Sequence, residues 1–121
     1  MPIFEDRVKE TTTTTGTGNI TTLGAVTGHR TLNNAYGLNV WIPYCIEAVD
    51  ANGVPTGEWE VGQGYLSGAT TFVRDRVYES SNAGALVNFA AATKFIFATM
   101  PAQRGFTQGQ SAARTKGMEM R

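Results

Sequence analysis

The stretch VWIPYCIEAVDANGVPTGEWEVGQGY, residues 40–65, contains the clearest secondary-structure signal in this chain. In residues 40–48 one set of alternate positions is apolar, and in residues 58–65 tryptophan, valine, glutamine and tyrosine alternate with glutamate or glycine. A repeat of two residues is the period of a β-strand. Between the two runs lies Asn52-Gly53, a pair that tolerates the backbone conformations of a tight turn. We therefore predict a β-hairpin over this stretch.

Four further strands are predicted outside the hairpin, at residues 5–13, 20–23, 69–79 and 94–100. No long segment has the apolar period of a helix. Pro43 lacks a backbone N–H, so we expect its strand to run along an edge or to carry a bulge at that point. Short strands separated by glycine-containing turns predict an all-β fold, a small antiparallel β-sandwich or barrel.

The chain of 121 residues is long enough for one compact domain. We expect a single β domain over residues 1–103 and a flexible basic tail over residues 104–121, because the tail contains few apolar residues. Its four basic residues are candidate contacts to an acidic partner surface: Arg104, Arg114, Lys116 and Arg121.

The charge distribution argues against nucleic acid as a main partner. Residues 1–100 contain six basic and nine acidic residues, a net charge of −3. A weakly acidic body does not displace the counterions of a nucleic acid, and the tail has fewer cations than a dedicated binding arm.

The cellular setting follows from the N-terminus and from cysteine usage. The first seven residues, MPIFEDR, contain no basic segment followed by an apolar one, so we expect no secretory leader. No apolar run approaches the roughly 20 residues of a membrane span. Cys45 is the single cysteine, so an intrachain disulfide is impossible, and we expect Cys45 to be a small core residue. We expect a protein that is made and folded in a cytoplasm and has no membrane partner.

The residues needed for catalysis are not grouped in the sequence. His29 is the single histidine, and no set of residues has metal-ligand spacing. The segment Gly16-Thr17-Gly18 lacks the third glycine of a dinucleotide fingerprint. Glu58 and Glu60 are expected on a solvated stripe of their strand. We therefore predict no enzyme activity, no catalytic residues, no cofactor and no metal site.

Trp41 and Trp59 both lie on the predicted hairpin and are candidate interaction residues. Exposed aromatic rings on a β-sheet bind sugars or protein partners. Because only two tryptophans are available to fill a small core, we expect both to be buried.

A six-residue motif, Asp-Arg-Val-x-Glu-(Thr/Ser), occurs twice in the sequence. The copies are DRVKET at residues 6–11 and DRVYES at residues 75–80. We expect the copies to form two equivalent strands of one domain. Arg7 and Arg76 are then candidates for pairing with carboxylates of neighbouring strands or subunits.

Four blocks of the sequence carry a family resemblance. They are DRVKETTTTTGTG at residues 6–18, GAVTG at 24–28, WEVG at 59–62 and ESSNAGALVNF at 79–89. In this order they resemble a family of small virion structural proteins of tailed bacteriophages, and the resemblance covers roughly residues 5–102.

The resemblance implies a β-rich, homotrimeric particle component. It would be located in the virion after folding in the bacterial host cytoplasm, with the major capsid protein or other virion proteins as partners. We expect a capsid decoration or cement protein, or the base of a head spike. One alternative is a tail, baseplate or fibre-attachment component, and another is a carbohydrate-binding module for recognition of the host surface.

Overall fold

The computed structural model describes residues 4–101. Its strands are β1 Lys9–Thr12, β2 Ile20–Thr21, β3 Ile42–Val49, β4 Pro55–Gly68, β5 Thr71–Ser80 and β6 Thr93–Ala98, with a short helix, α1 Leu32–Tyr36, between β2 and β3. The strands form one antiparallel sheet in the order β1-β6-β3-β4-β5-β2, rolled into a nearly closed barrel. The predicted all-β class is confirmed.

The turn between β3 and β4 is the predicted hairpin turn. One carboxylate oxygen of Asp50 accepts hydrogen bonds from the N–H groups of Asn52 and Val54, at 2.8 and 3.0 Å. Gly53 has a φ of 79°, in the left-handed region that glycine adopts without strain. Local turn chemistry therefore sets the connection between β3 and β4.

The predicted edge or bulge position of Pro43 is wrong. β3 is paired on both sides, and its register irregularity lies between Glu47 and Val49. The Pro43 carbonyl accepts a hydrogen bond from the Thr99 N–H at 3.1 Å, and the N and C=O of one strand residue point to the same side. The proline nitrogen therefore faces Thr99, one residue beyond the end of β6, so the missing N–H falls at the end of that ladder.

Threonine residues help to close the barrel. After β2 the chain runs back along β1, where the Leu23 N–H donates to the Thr11 carbonyl at 2.8 Å and the Thr11 N–H donates to the Gly24 carbonyl at 3.1 Å. The Thr12 hydroxyl donates to the Thr21 carbonyl at 2.7 Å. Because β1 and β2 are the end strands of the sheet, these bonds join its two edges.

Two inward-facing glycines of β4 make room for aromatic rings in the core. A Cβ atom at Gly64 would lie 2.6 Å from the Phe72 ring, and one at Gly62 would lie 3.0 Å from the Tyr44 hydroxyl. The two rings pack edge to face with centroids 4.9 Å apart. Other buried apolar side chains of the core are Ile20, Leu32, Tyr36, Ile42, Ile46, Leu66, Phe89 and Ile96.

Helix α1 begins at a capped N-terminus. The Thr31 hydroxyl accepts a hydrogen bond from the Asn34 N–H at 3.0 Å, and the Glu10 carboxylate accepts one from the Leu32 N–H at 2.8 Å. Glu10 also accepts a bond from the Gly24 N–H at 3.2 Å, so one buried side chain of β1 holds two loop segments. Five helical residues are too few to produce a recognisable apolar period.

The two copies of the repeated phrase do not form equivalent strands, so that prediction is wrong. Asp6 and Arg7 lie in a turn, and Arg7 has a φ of 60°, which an extended strand cannot contain. β1 therefore begins at Lys9, four residues later than predicted. The second copy lies entirely in β5, which pairs with β4 and β2, whereas β1 pairs with β6.

The predicted boundary after residue 103 and the proposed tail over residues 104–121 lie outside the described residues. The same holds for the four basic candidates of the tail, Arg104, Arg114, Lys116 and Arg121.

Candidate interaction surface

The outward side chains of the central strands form a half-exposed apolar surface. One row of neighbouring side chains crosses four strands of this surface. It consists of Lys9 on β1, Phe97 on β6, Cys45 on β3 and Val61 on β4. The Lys9 ammonium group lies 4.3 Å from the centroid of the Phe95 ring, a cation–π contact. We call this surface the aromatic face. Its apolar residues are Cys45, Trp59, Val61, Tyr78, Phe95 and Phe97. Two carboxylates share it, because Glu47 lies between Trp59 and Phe95 and Glu79 lies opposite Val61.

A groove of 320 Å³ crosses one side of the aromatic face. Its lining residues are Trp59, Val61, Tyr78 and Glu79, together with the last described residues, Thr99 to Pro101. The end of the described chain therefore lies directly beside this surface.

A second groove, of 390 Å³, lies near the opposite end of β4, and we call it the Trp41 groove. Its lining residues are Asn39, Trp41, Tyr65 and Asp75. The Trp41 and Tyr65 rings meet edge to face, with centroids 5.4 Å apart and planes at 82°. Six residues separate Tyr65 from Trp59 along β4, or about 20 Å of extended strand, so the two grooves are distinct.

Two β-bulges in β5 supply one residue to each groove. The pairing of β5 with β4 skips Asp75 and Tyr78, so each is an extra residue opposite a pair of consecutive β4 residues. A bulge changes the direction in which the side chain of the extra residue points. Asp75 lines the Trp41 groove and Tyr78 lines the groove beside Trp59.

The predicted burial of Trp41 and Trp59 is wrong, because the two residues are 49% and 38% exposed. Strand alternation puts them on the outer side of the sheet, while the Tyr44 and Phe72 rings fill the interior. Both tryptophans are accessible to a partner, and they belong to different grooves.

Arg7 and Arg76 make contacts other than the predicted pairing with carboxylates. Arg7 donates from Nε and Nη2 to the Gly28 carbonyl, at 3.3 and 3.2 Å. The Arg76 guanidinium lies 5.5 Å from the Tyr78 ring centroid, beside the aromatic face. The ion pairs found within residues 4–101 are Arg30–Glu5 and Arg74–Glu60.

The predicted solvated position of Glu60 is also wrong, because Glu60 is fully buried. Its Oε1 accepts hydrogen bonds from the Arg74 guanidinium at 3.0 Å and from the Val87 N–H at 2.9 Å, and its Oε2 accepts one from the Tyr44 hydroxyl at 2.5 Å. Burial, together with the Glu60 charge, raises the pKa of Tyr44 far above its usual range. The cluster joins strands and loops inside the barrel and presents no group to solvent.

A buried lysine provides a second polar link in the interior. The Lys94 ammonium group donates to the Thr14 carbonyl at 2.9 Å, and burial lowers the pKa of Lys94. Sequence reasoning missed Lys94, Arg74, Asn39 and Asp75 as structural or site residues. The position of Lys94 could have been predicted from strand alternation, because Lys94 and Ile96 are two residues apart on β6 and point to the same side of the sheet.

The predicted core position of Cys45 is partly correct, because the thiol is half-buried but points to the outer face. Burial, reinforced by the charges of Glu47 and Glu60, raises the pKa of Cys45 to about 12. The thiol is therefore protonated at neutral pH.

Among the described residues, no group of three or more His, Cys, Asp or Glu side chains could hold a metal ion. No helix within residues 4–101 is long and apolar enough to cross a membrane. Comparisons with known proteins found no matching family model, no matching curated protein and no matching solved structure.

Proposed function

We propose that this protein is a structural component of a tailed-bacteriophage virion and binds other virion proteins through the aromatic face. The observation that carries the proposal is the half-exposed apolar surface around Trp59 on the outside of the sheet. Protein interfaces are enriched in aromatic residues. Glu47 lies between Trp59 and Phe95, so the partner surface would have to supply a cation or hydrogen-bond donors to it. The resemblance of four sequence blocks to phage virion proteins supplies the biological setting.

The aromatic face is rigid before any partner binds. Cys45 lies between Phe97 and Val61 on strands that are hydrogen-bonded to their neighbours. A surface on paired strands loses little conformational freedom on binding, so more of the contact energy remains for affinity. This rigidity supports repeated attachment to many equivalent sites.

The arrangement that we propose is a homotrimer on the assembled shell, with the major capsid protein as partner. A stable interface buries about 800 Å² on each partner, and three linked subunits would bind with avidity. Within this arrangement the protein decorates or cements the capsid, or supports a head spike.

The test is the occupancy of purified virions that are assembled with wild-type or variant chains. Trp59→Glu removes the central aromatic ring and puts a second carboxylate opposite Glu47 on the aromatic face. It should lower the copy number per particle, measured by quantitative mass spectrometry, because unpaired charges are costly to bury. The matched control is Val54→Glu, since Val54 is 54% exposed in the β3–β4 turn, away from the aromatic face.

Two outcomes would overturn the proposal: absence of the wild-type chain from virions, or equal occupancy of the Trp59→Glu and wild-type chains. A copy number that matches the shell lattice supports decoration. A copy number per virion that is a small multiple of three would instead assign the chain to a tail or baseplate.

A further inference from the structure

The Trp41 groove differs in chemistry from the aromatic face. Trp41 and Tyr65 give it two aromatic rings at right angles, and Asn39 and Asp75 give it an amide and a carboxylate. Asp75 is exposed and takes part in neither ion pair of residues 4–101. Apolar and hydrogen-bonding groups therefore converge in one small depression, as they do in ligand sites.

The backbone holds the polar residues of this groove in place. Asn39 has a φ of 60°, in the left-handed region, and its N–H donates to the Leu66 carbonyl at 2.9 Å. Asp75 is held at a bulge between hydrogen-bonded positions of β5. The backbone of Asn39 is held by its own hydrogen bond, and that of Asp75 by its paired neighbours Arg74 and Arg76. Ligand binding would therefore cost little backbone ordering entropy.

The charge of the groove narrows the class of ligand. None of its lining residues is basic, and residues 1–100 have a net charge of −3. Phosphate and carboxylate ligands are bound by Arg, Lys or clusters of N–H groups, and Asp75 would repel them.

We propose that the Trp41 groove binds a neutral pyranose sugar. The apolar C–H face of a pyranose ring packs on an aromatic side chain, and its hydroxyls donate to carboxylates and accept from amides. Trp41 and Tyr65 provide the aromatic contact, and Asn39 and Asp75 the hydrogen bonds. Sugar binding would be a function additional to attachment to the virion, because it would let the protein contact glycans of a bacterial surface.

The first measurement is saturation-transfer difference NMR with methyl glucoside, methyl galactoside, methyl mannoside and N-acetylglucosamine, each at millimolar concentration. We expect a saturable signal from the ring C–H protons of at least one sugar. In the Trp59→Phe protein Trp41 is the remaining tryptophan, so the same sugar should change its fluorescence.

Variants then locate the site. Trp41→Ala should weaken binding about tenfold or more, the scale of a lost aromatic anchor, while Trp41→Tyr should retain most of it. Asp75→Leu should weaken binding several-fold through lost hydrogen bonds. Trp59→Ala is the matched control and should bind like the wild type. Unchanged urea unfolding of each variant verifies that the barrel is intact.

Absence of a saturable signal with every sugar of the panel would overturn the proposal. Unchanged binding by Trp41→Ala, or an equal loss in Trp59→Ala, would overturn the assignment to this groove. Tighter binding of glucose 6-phosphate than of glucose would overturn the preference for a neutral ligand. Virion occupancy of Trp41→Ala should stay at the wild-type level, so the two proposals fail independently.

Discussion

The Arg74 guanidinium lies 3.0 Å from the Glu60 carboxylate, and both side chains are buried inside the barrel. Arg74 also donates to the carbonyls of Gly16, Gly18 and Val87, at 2.9, 3.1 and 3.1 Å. One side chain of β5 therefore connects β4 with the loop after β1 and with the segment before β6. The interior of this small domain is organised by charge as well as by apolar packing.

Arg74→Met should lower the free energy of unfolding by about 3–5 kcal/mol, because Glu60 would remain buried without its partner and three carbonyls would lose a donor. Urea unfolding followed by tryptophan fluorescence measures the change. Arg76→Met is the control, since Arg76 is exposed two residues along the same strand, and its effect should stay within about 0.5 kcal/mol. Equal effects of the two substitutions would contradict a structural role for the buried pair.

Gly64→Ala should destabilise the barrel by about 1–3 kcal/mol or more, because the added Cβ would lie 2.1 Å from the Val73 carbonyl oxygen and 2.6 Å from the Phe72 ring. The thermal unfolding midpoint should fall accordingly. Gly18→Ala serves as the comparison, since no atom lies within 4 Å of a Cβ there, and its midpoint should match the wild type. A wild-type midpoint for Gly64→Ala would mean that β4 and β5 are less closely packed than described.

Thr12→Val should cost about 1–3 kcal/mol, because the Thr12 hydroxyl donates to the Thr21 carbonyl at 2.7 Å and accepts from the Thr14 N–H at 3.1 Å. Hydrogen exchange of the Thr14 amide should become faster, since that N–H loses its acceptor. Thr13→Val, at an exposed neighbouring position, should leave both stability and exchange unchanged. If Thr12→Val behaved like this control, the threonine hydroxyl would not contribute to barrel closure.

The Cys45 thiol makes stability sensitive to alkaline pH. Its pKa is raised to about 12 in the folded protein, against about 8.5 in an unfolded chain. The unfolded state therefore releases this proton first, so the stabilising contribution is complete below about pH 8.5 and is lost as pH rises towards 12.

Urea unfolding at about pH 8 and pH 11 should consequently reveal a larger loss of stability in the wild type than in Cys45→Ala. The native thiol should also react slowly with a disulfide reagent at about pH 8 and rapidly once urea unfolds the chain. Parallel pH profiles of the two proteins would contradict the burial of this thiol.

Local sequence was sufficient for the all-β class and for the central hairpin. Alternation at every second residue and the Asn52-Gly53 turn are short-range features, and they correctly separated two faces of β3 and β4. The same information failed at Asp6 and Arg7, where a left-handed residue ends the extended run without any sign in the apolar pattern.

On β4 the alternation of residues predicts which side chains share a face, because side-chain parity is a property of a single strand. On β5 the bulges at Asp75 and Tyr78 interrupt this parity. Which face is inside depends on how the strands pack together. The rings of Tyr44 and Phe72 occupy the space left by the β4 glycines, so Glu60 is sealed in the barrel and Trp59 is on the outside.

The candidate grooves depend on tertiary structure for the same reason. Asp75 joins Trp41 and Tyr65 only because a bulge shifts β5 against β4, and such a register shift depends on two strands rather than one. Pairing between segments that are distant in the sequence thus sets which side chains meet in each groove. Local alternation is sufficient to predict the strands to which most of those side chains belong.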